Sequence, residues 1–99
     1  MVEPERCKSM DEVRASLDVL DDEIVTLLAR RFRYVDAAAR IKERRDQVRD
    51  EQRIAAVIDR VRSKAAAEGA PENVIADLYR SLIEAAIRRE LEKFDADSI

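Results

Sequence analysis

Three charged residues fall on stripes of this sequence that are otherwise apolar, and burying a charge needs a chemical reason. In the first half of the chain, apolar residues recur at Val13, Leu17, Leu20, Ile24 and Leu27, in steps of four, three, four and three. That spacing is the seam of an amphipathic helix. The next seam position is Arg31, and Tyr34 follows it. Lys42 lies eleven residues beyond Arg31. Three turns of helix separate them, so Lys42 falls on nearly the same face, about 16 Å away. Two cations on one inward stripe are costly unless paired. Either a bound anion supplies the negative charge, or the cations snorkel or meet an acid from another helix. A cation that meets no acid can be removed with stability unchanged or raised.

Glu90 is the converse case. It follows Ile83 by seven residues and Ala86 by four, on the apolar face of the last helical pattern. A carboxylate there either pairs with a cation or carries a proton. Arg14 precedes Arg31 by seventeen residues, which is about 100° out of phase and about 25 Å away on a helix. It cannot join the same small pocket within one chain, but it could reach the pocket of an antiparallel partner. Its bland reading is a solvated helix position. Arg53 opens the second helix beside Ile54 and Val57 and could face inward or outward. The pairs Arg44-Arg45 and Arg88-Arg89 read as solvated faces, and Cys7 as a bystander. Tyr34 and Tyr79 read as core residues with the hydroxyl at an edge.

Helices must position these groups. Ser9-Met10-Asp11-Glu12 fits a capping box. The apolar pattern that follows continues through Ala38 and Ile41 and fades in Glu43–Gln47, which predicts a first helix over about 10–45, about 50 Å long. Asp50 is a good N-cap for a second helix bearing Ile54, Val57, Ile58, Val61 and Ala65 on one face. Gly69 is its stop, and Pro71 suits the first turn of a third helix. That helix carries Val74, Ile75, Leu78, Tyr79, Leu82, Ile83, Ala86, Ile87, Leu91 and Phe94, with a fraying tail over 95–99.

The composition agrees. Ninety-nine residues with one Gly, two Pro and four aromatics point to a single all-α domain over 1–99, with an ordered core of about 9–94. A domain of this length has a radius of gyration of about 13 Å. Two shorter helices of the same chain cannot cover a first helix of about 50 Å, so its seam calls for a second copy in a two-fold homodimer. Nineteen Lys+Arg against 22 Asp+Glu give a net charge of −3, which argues against a nucleic-acid partner. The absence of His excludes His-based zinc sites and Ser-His or Cys-His nucleophiles, and a single Cys excludes an internal disulfide. No apolar run approaches a membrane span, and the N-terminus has no apolar signal core, so a soluble, cytoplasmic protein is expected.

The combined pattern resembles the all-helical AroQ-type chorismate mutases. It is carried by Val13-Arg14-x-x-Leu17-Asp18-x-Leu20-Asp21-x-x-Ile24-x-x-Leu27-Leu28-Ala29-x-Arg31, then Lys42, then Asp50-x-x-Arg53. The likeness covers about 9–94. It implies three helices, the first very long, in an intertwined homodimer with two active sites. Each site is lined mainly by one chain and completed by Arg14 of the other. In this resemblance Arg31 clamps one substrate carboxylate and Arg14 the other. Lys42 reaches the ether oxygen and a carboxylate, and Asp50 and Arg53 lie near the substrate hydroxyl and carboxylate. Ile54, Ala86 and Glu90 complete the substrate-binding set, and Lys42, Glu90 and Arg31 are the implied catalytic groups. The implied reaction is the pericyclic shift of chorismate to prephenate, which uses no metal, nucleophile or cofactor. The enzyme holds the reactive conformer and stabilises charge on the ether oxygen.

Two positions depart from the mutase pattern. Ile54 stands where mutases usually carry Glu, and the related isochorismate pyruvate-lyases have an apolar residue there. Arg30-Arg31-x-x-Tyr34-Val35-x-Ala37-Ala38-x-Arg40-x-Lys42 also looks like those lyases. Glu90 stands where many members carry Gln and some carry Glu. The expected function is chorismate mutase, with Asp50 on its side. The alternatives are isochorismate pyruvate-lyase and a non-catalytic helical dimerisation module. Arg31 and Lys42 speak against the last, because a pure dimer seam prefers Leu or Ile.

Overall fold

The computed structural model describes residues 1–97, and among them there are three α-helices and no strand. Helix α1 spans Met10–Ile41, α2 spans Glu51–Ala67 and α3 spans Glu72–Asp97, with single 3₁₀ turns at Pro4–Arg6 and Arg45–Gln47. The packing divides the chain into two compact units, Met1–Tyr34 and Val35–Ile99.

In the N-terminal unit, Ser9 starts α1 as its spacing predicts. Its hydroxyl oxygen accepts the Glu12 N–H at 3.2 Å, and its carbonyl accepts the Val13 N–H at 3.2 Å. The seam of α1 is formed but bare. Leu17, Ile24 and Leu27 are each at least half exposed, and Tyr34 is 71% exposed, so Tyr34 is not a core residue of its own chain. None of the helices among the described residues is long and apolar enough to cross a membrane.

The C-terminal unit holds the core. Helix α2 packs on α3, and Val57, Ile58, Ala76, Ile83 and Ile87 cluster with Val48, flanked by Ile54, Val61, Tyr79 and Leu91. Of the apolar residues expected on α3, Ile83, Ala86 and Ile87 are buried and Ile75, Tyr79 and Leu82 half-buried, and two near its start stay exposed. Val74 and Leu78 are 53% and 61% exposed, and Ala76 has 0% exposure. A small side chain there lets α2 approach closely, which apolar periodicity alone does not register.

Helix boundaries follow from backbone chemistry. Asp50 caps α2 by accepting the Arg53 N–H at 3.0 Å. The end of α2 is a Schellman motif, with Ala70 N–H donating to the Ala65 carbonyl at 2.8 Å and Gly69 N–H to Ala66 at 3.2 Å. Gly69 sits at φ +72° with open space where a Cβ would go. Gly69→Ala therefore meets only the backbone penalty and is expected to lower stability by about 1 kcal/mol in denaturant melts.

Two expected boundaries are corrected. Helix α1 stops at Ile41 rather than near residue 45, because the Gln47 side-chain oxygen captures the Glu43 and Arg44 N–H groups, each at 3.0 Å. The segment 95–97 is helical rather than frayed, and Asp95 is held by Arg45 at 3.1 Å. The remainder of the expected fray, Ser98 and Ile99, lies outside the described residues.

Candidate active site

The candidate site is built around Lys42, the first residue beyond α1. Its N–H closes the last turn of the helix on the Ala38 carbonyl at 2.9 Å. Its Nζ donates to Glu90 Oε2 at 2.7 Å and, more weakly, to the Val48 carbonyl at 3.5 Å. Glu90 is 7% exposed, on the α3 face that also buries Ile83, Ala86 and Ile87. The two alternatives left open for Lys42 and Glu90 thus close together. Lys42 meets an acid from α3, and Glu90 is paired with a cation. A partly buried ion pair of this geometry is costly to break from one side. Among the described residues no buried side-chain polar atom lacks a hydrogen-bond partner.

The segment 42–50 joins α1 to α2 and forms one rim of the site. Only Val48 within it is buried. A surface concavity of about 540 Å³ is lined by Lys42, Arg49 and Asp50, together with Asp46, Gln47 and Glu51. Lys42 and Asp50, eight positions apart, therefore face one hollow. Three ion pairs stitch this segment to α3, Lys42–Glu90, Arg45–Asp95 and Arg49–Glu84, and a fourth, Asp36–Arg89, joins the end of α1 to it. Two of them are two-point pairs. Arg89 reaches both Asp36 oxygens at 2.8 and 3.0 Å, and Arg49 reaches both Glu84 oxygens at 3.1 and 2.6 Å.

The remaining expected site residues are less gathered. Ile54 is half-buried and packs on the core. Ala86 is buried one turn before Glu90. Arg53 is exposed on the first turn of α2. Arg14 and Arg31 lie on α1 within the N-terminal unit, Arg14 exposed and Arg31 half-buried.

Sequence reasoning did not single out Gln47, Arg49, Glu84, Asp36 or Arg89. Arg89 looked like a solvated face, and it remains partly exposed, but it is spoken for by Asp36. Partners 53 and 35 positions apart leave no periodic signal. Only Gln47, three and four residues after the N–H groups it accepts, had a local signature.

These pairs set an acid limit on the fold. The guanidinium of Arg89 hydrogen-bonds Asp36 and holds its carboxyl below the ordinary range, and that of Arg49 does the same for Glu84. Groups whose values are depressed by folding stabilise above their unfolded values, and that contribution disappears as pH falls through the folded values. The matching rise at Arg49 and Arg89 acts only at far alkaline pH. Stability is therefore expected to hold from neutrality down to about pH 4 and to decline below it. Denaturant midpoints across that range check this, and an Asp36→Asn/Glu84→Gln chain should show a shallower decline.

The sequence matches the family described as chorismate mutase type II over residues 13–91. It is also 28% identical over 92 residues to a protein named isochorismate pyruvate lyase from Pseudomonas aeruginosa, covering 93% of this chain and 91% of that protein. That relative is of nearly the same length and is named as a lyase rather than a mutase. With three helices, a Lys–Glu pair beside a polar hollow and a match across four-fifths of its length, the chain belongs to the chorismate mutase type II family.

Proposed function

We propose that the protein is a chorismate mutase, an isomerase converting chorismate to prephenate. The observation that carries this reading is the placement of Lys42. An ammonium has three N–H donors. One goes to Glu90 at 2.7 Å and one points weakly to Val48 at 3.5 Å, and the hollow shared with Asp50 lies beside them. The remaining N–H suits an ether oxygen that gains negative charge as its C–O bond breaks. A donor already held in place needs no reorganisation at that moment. Glu90 orients Lys42 in this reading, and Asp50 receives the substrate hydroxyl. Arg31 clamps one carboxylate, Arg14 of a second copy the other, and Arg53 assists. Guanidinium groups fit carboxylates through paired N–H donors.

The bare α1 seam supports the second copy. Leu17, Leu20, Ile24 and Leu27 are all at least 40% exposed in the single chain. An apolar stripe of that extent marks an interaction face, and an intertwined homodimer covers it.

A second reading, isochorismate pyruvate-lyase, is favoured by two observations. Ile54 packs against the core and places no carboxylate at the position where mutases carry one, and the Pseudomonas aeruginosa relative bears the lyase name. Both reactions begin from isomeric dicarboxylates, so steady-state assays on chorismate and isochorismate with one preparation decide between them. Prephenate from chorismate at the higher kcat/KM is the expected result. Salicylate and pyruvate from isochorismate at the higher value replace the mutase by the lyase. Turnover of neither leaves a dimerisation module.

A further inference from the structure

We infer that Arg49 and Glu84 form a positioning clasp that sets where the 42–50 segment, and with it Lys42, sits on α3. This rests on reading Lys42 as a cation that acts on the substrate. Arg49 occupies the link between Val48, whose carbonyl faces Lys42 Nζ, and Asp50, which caps α2. Val48 is the segment's one buried residue, and the Gln47 bonds to the Glu43 and Arg44 N–H groups lie within the segment, so they leave its angle on α3 free.

The clasp removes that freedom. Two N–H···O contacts between planar groups fix distance and angle together, which one ammonium contact cannot do. Arg49 also touches Glu51 at 3.5 Å, so the same guanidinium ties the first residue of α2 to α3. Arg45, four residues earlier, is held to Asp95, eleven positions further along α3 than Glu84. The segment therefore runs out along α3 and back, with an ionic tie on each limb and Lys42 at its start. The guanidinium hydrogen bonds also hold the Glu84 carboxyl below its ordinary range, so the pair stays charged at neutral pH.

An exposed ion pair contributes little to global stability. Its effect is local, on the placement of the Val48 carbonyl and the Lys42 ammonium, and small misplacements of a reacting group are amplified in rate. Arg49→Glu and Glu84→Arg are each expected to lower kcat/KM by about tenfold, acting on both kcat and KM, with little change in melting temperature. Amides 43–49 should exchange hydrogen faster in both variants. The swapped chain Arg49→Glu/Glu84→Arg, made in a Glu51→Gln background to remove the adjacent like charge, should recover most of the loss and restore slow exchange. Glu51→Gln alone serves as its reference, and Lys64→Ala, which breaks the exposed Lys64–Glu68 pair at the C-terminal end of α2, as the control.

Single variants with wild-type kcat/KM beside an inactive Lys42→Ala would overturn the clasp and leave the reading of the site intact. Impaired single variants that the swap does not rescue also overturn it, because Arg49 would then act by its own charge on the substrate. A fully active Lys42→Ala removes the reading of Lys42 and the clasp with it.

Discussion

A Lys42→Ala chain is expected to lose about 10²- to 10³-fold in kcat/KM and to unfold more readily than the parent. The rate loss is what removing one preorganised donor from developing negative charge produces, about 3–4 kcal/mol of transition-state stabilisation. The stability loss has a separate origin. As an unpartnered inward cation, Lys42 could be removed without harm, but the structure pairs it with Glu90 at 2.7 Å. Truncating Lys42 leaves a carboxylate that is 7% exposed without its counter-ion. Breaking a fully buried pair from one side costs about 3–5 kcal/mol. Because the Lys42 side chain is 29% exposed, water reaches the pair, and a loss of about 2 kcal/mol is the expected size. Glu90→Gln placed on top of Lys42→Ala should recover most of that stability, since it removes the stranded charge, and should recover none of the activity. Denaturant melts and steady-state kinetics on the same four chains give both cycles. A Lys42→Ala chain of full activity would take Lys42 out of the site.

Mixing two inactive chains should restore activity. Arg14→Ala and Arg31→Ala are each expected to be nearly inert as homodimers, because every site lacks one of the two carboxylate clamps. In a heterodimer one site combines the intact Arg31 of one chain with the intact Arg14 of the other, and its twin carries both lesions. Random exchange makes half the dimers mixed, so about a quarter of the sites are whole. Activity should rise from near zero to about that fraction of wild type after subunit exchange through denaturant. Light scattering on the parent should give the mass of a dimer at micromolar concentration. A monomer there, or no recovery on exchange, sinks the shared site.

The two predictions draw on different levels of the molecule. The complementation result depends on a long amphipathic helix whose seam is apolar up to Arg31, a property already visible in one-dimensional spacing. The Lys42 result depends on a partner 48 positions away, and its stability arm reverses once that partner is known.

What the sequence determined by itself is therefore what short-range physics encodes. Ser9, Asp50 and Gly69 mark helix ends because caps and a left-handed residue act within one turn of themselves. The seam of α1 and the buried face of α2 follow from a 3.6-residue period that any local window contains. The family likeness follows from charged residues at set intervals along those helices. Only the tertiary structure decided the rest. Ala76 is fully buried while Val74 and Leu78 stay exposed, because helix approach depends on the size of a side chain across the interface. Helix α1 stops at Ile41 because Gln47 turns back to take its N–H groups. Lys42 is balanced by Glu90, Arg49 by Glu84 and Asp36 by Arg89 because electrostatic pairing acts through space and is indifferent to separation along the chain. A sequence displays which charges it carries and which face of a helix they share, while the folding of α3 against α2 selects which of them meet.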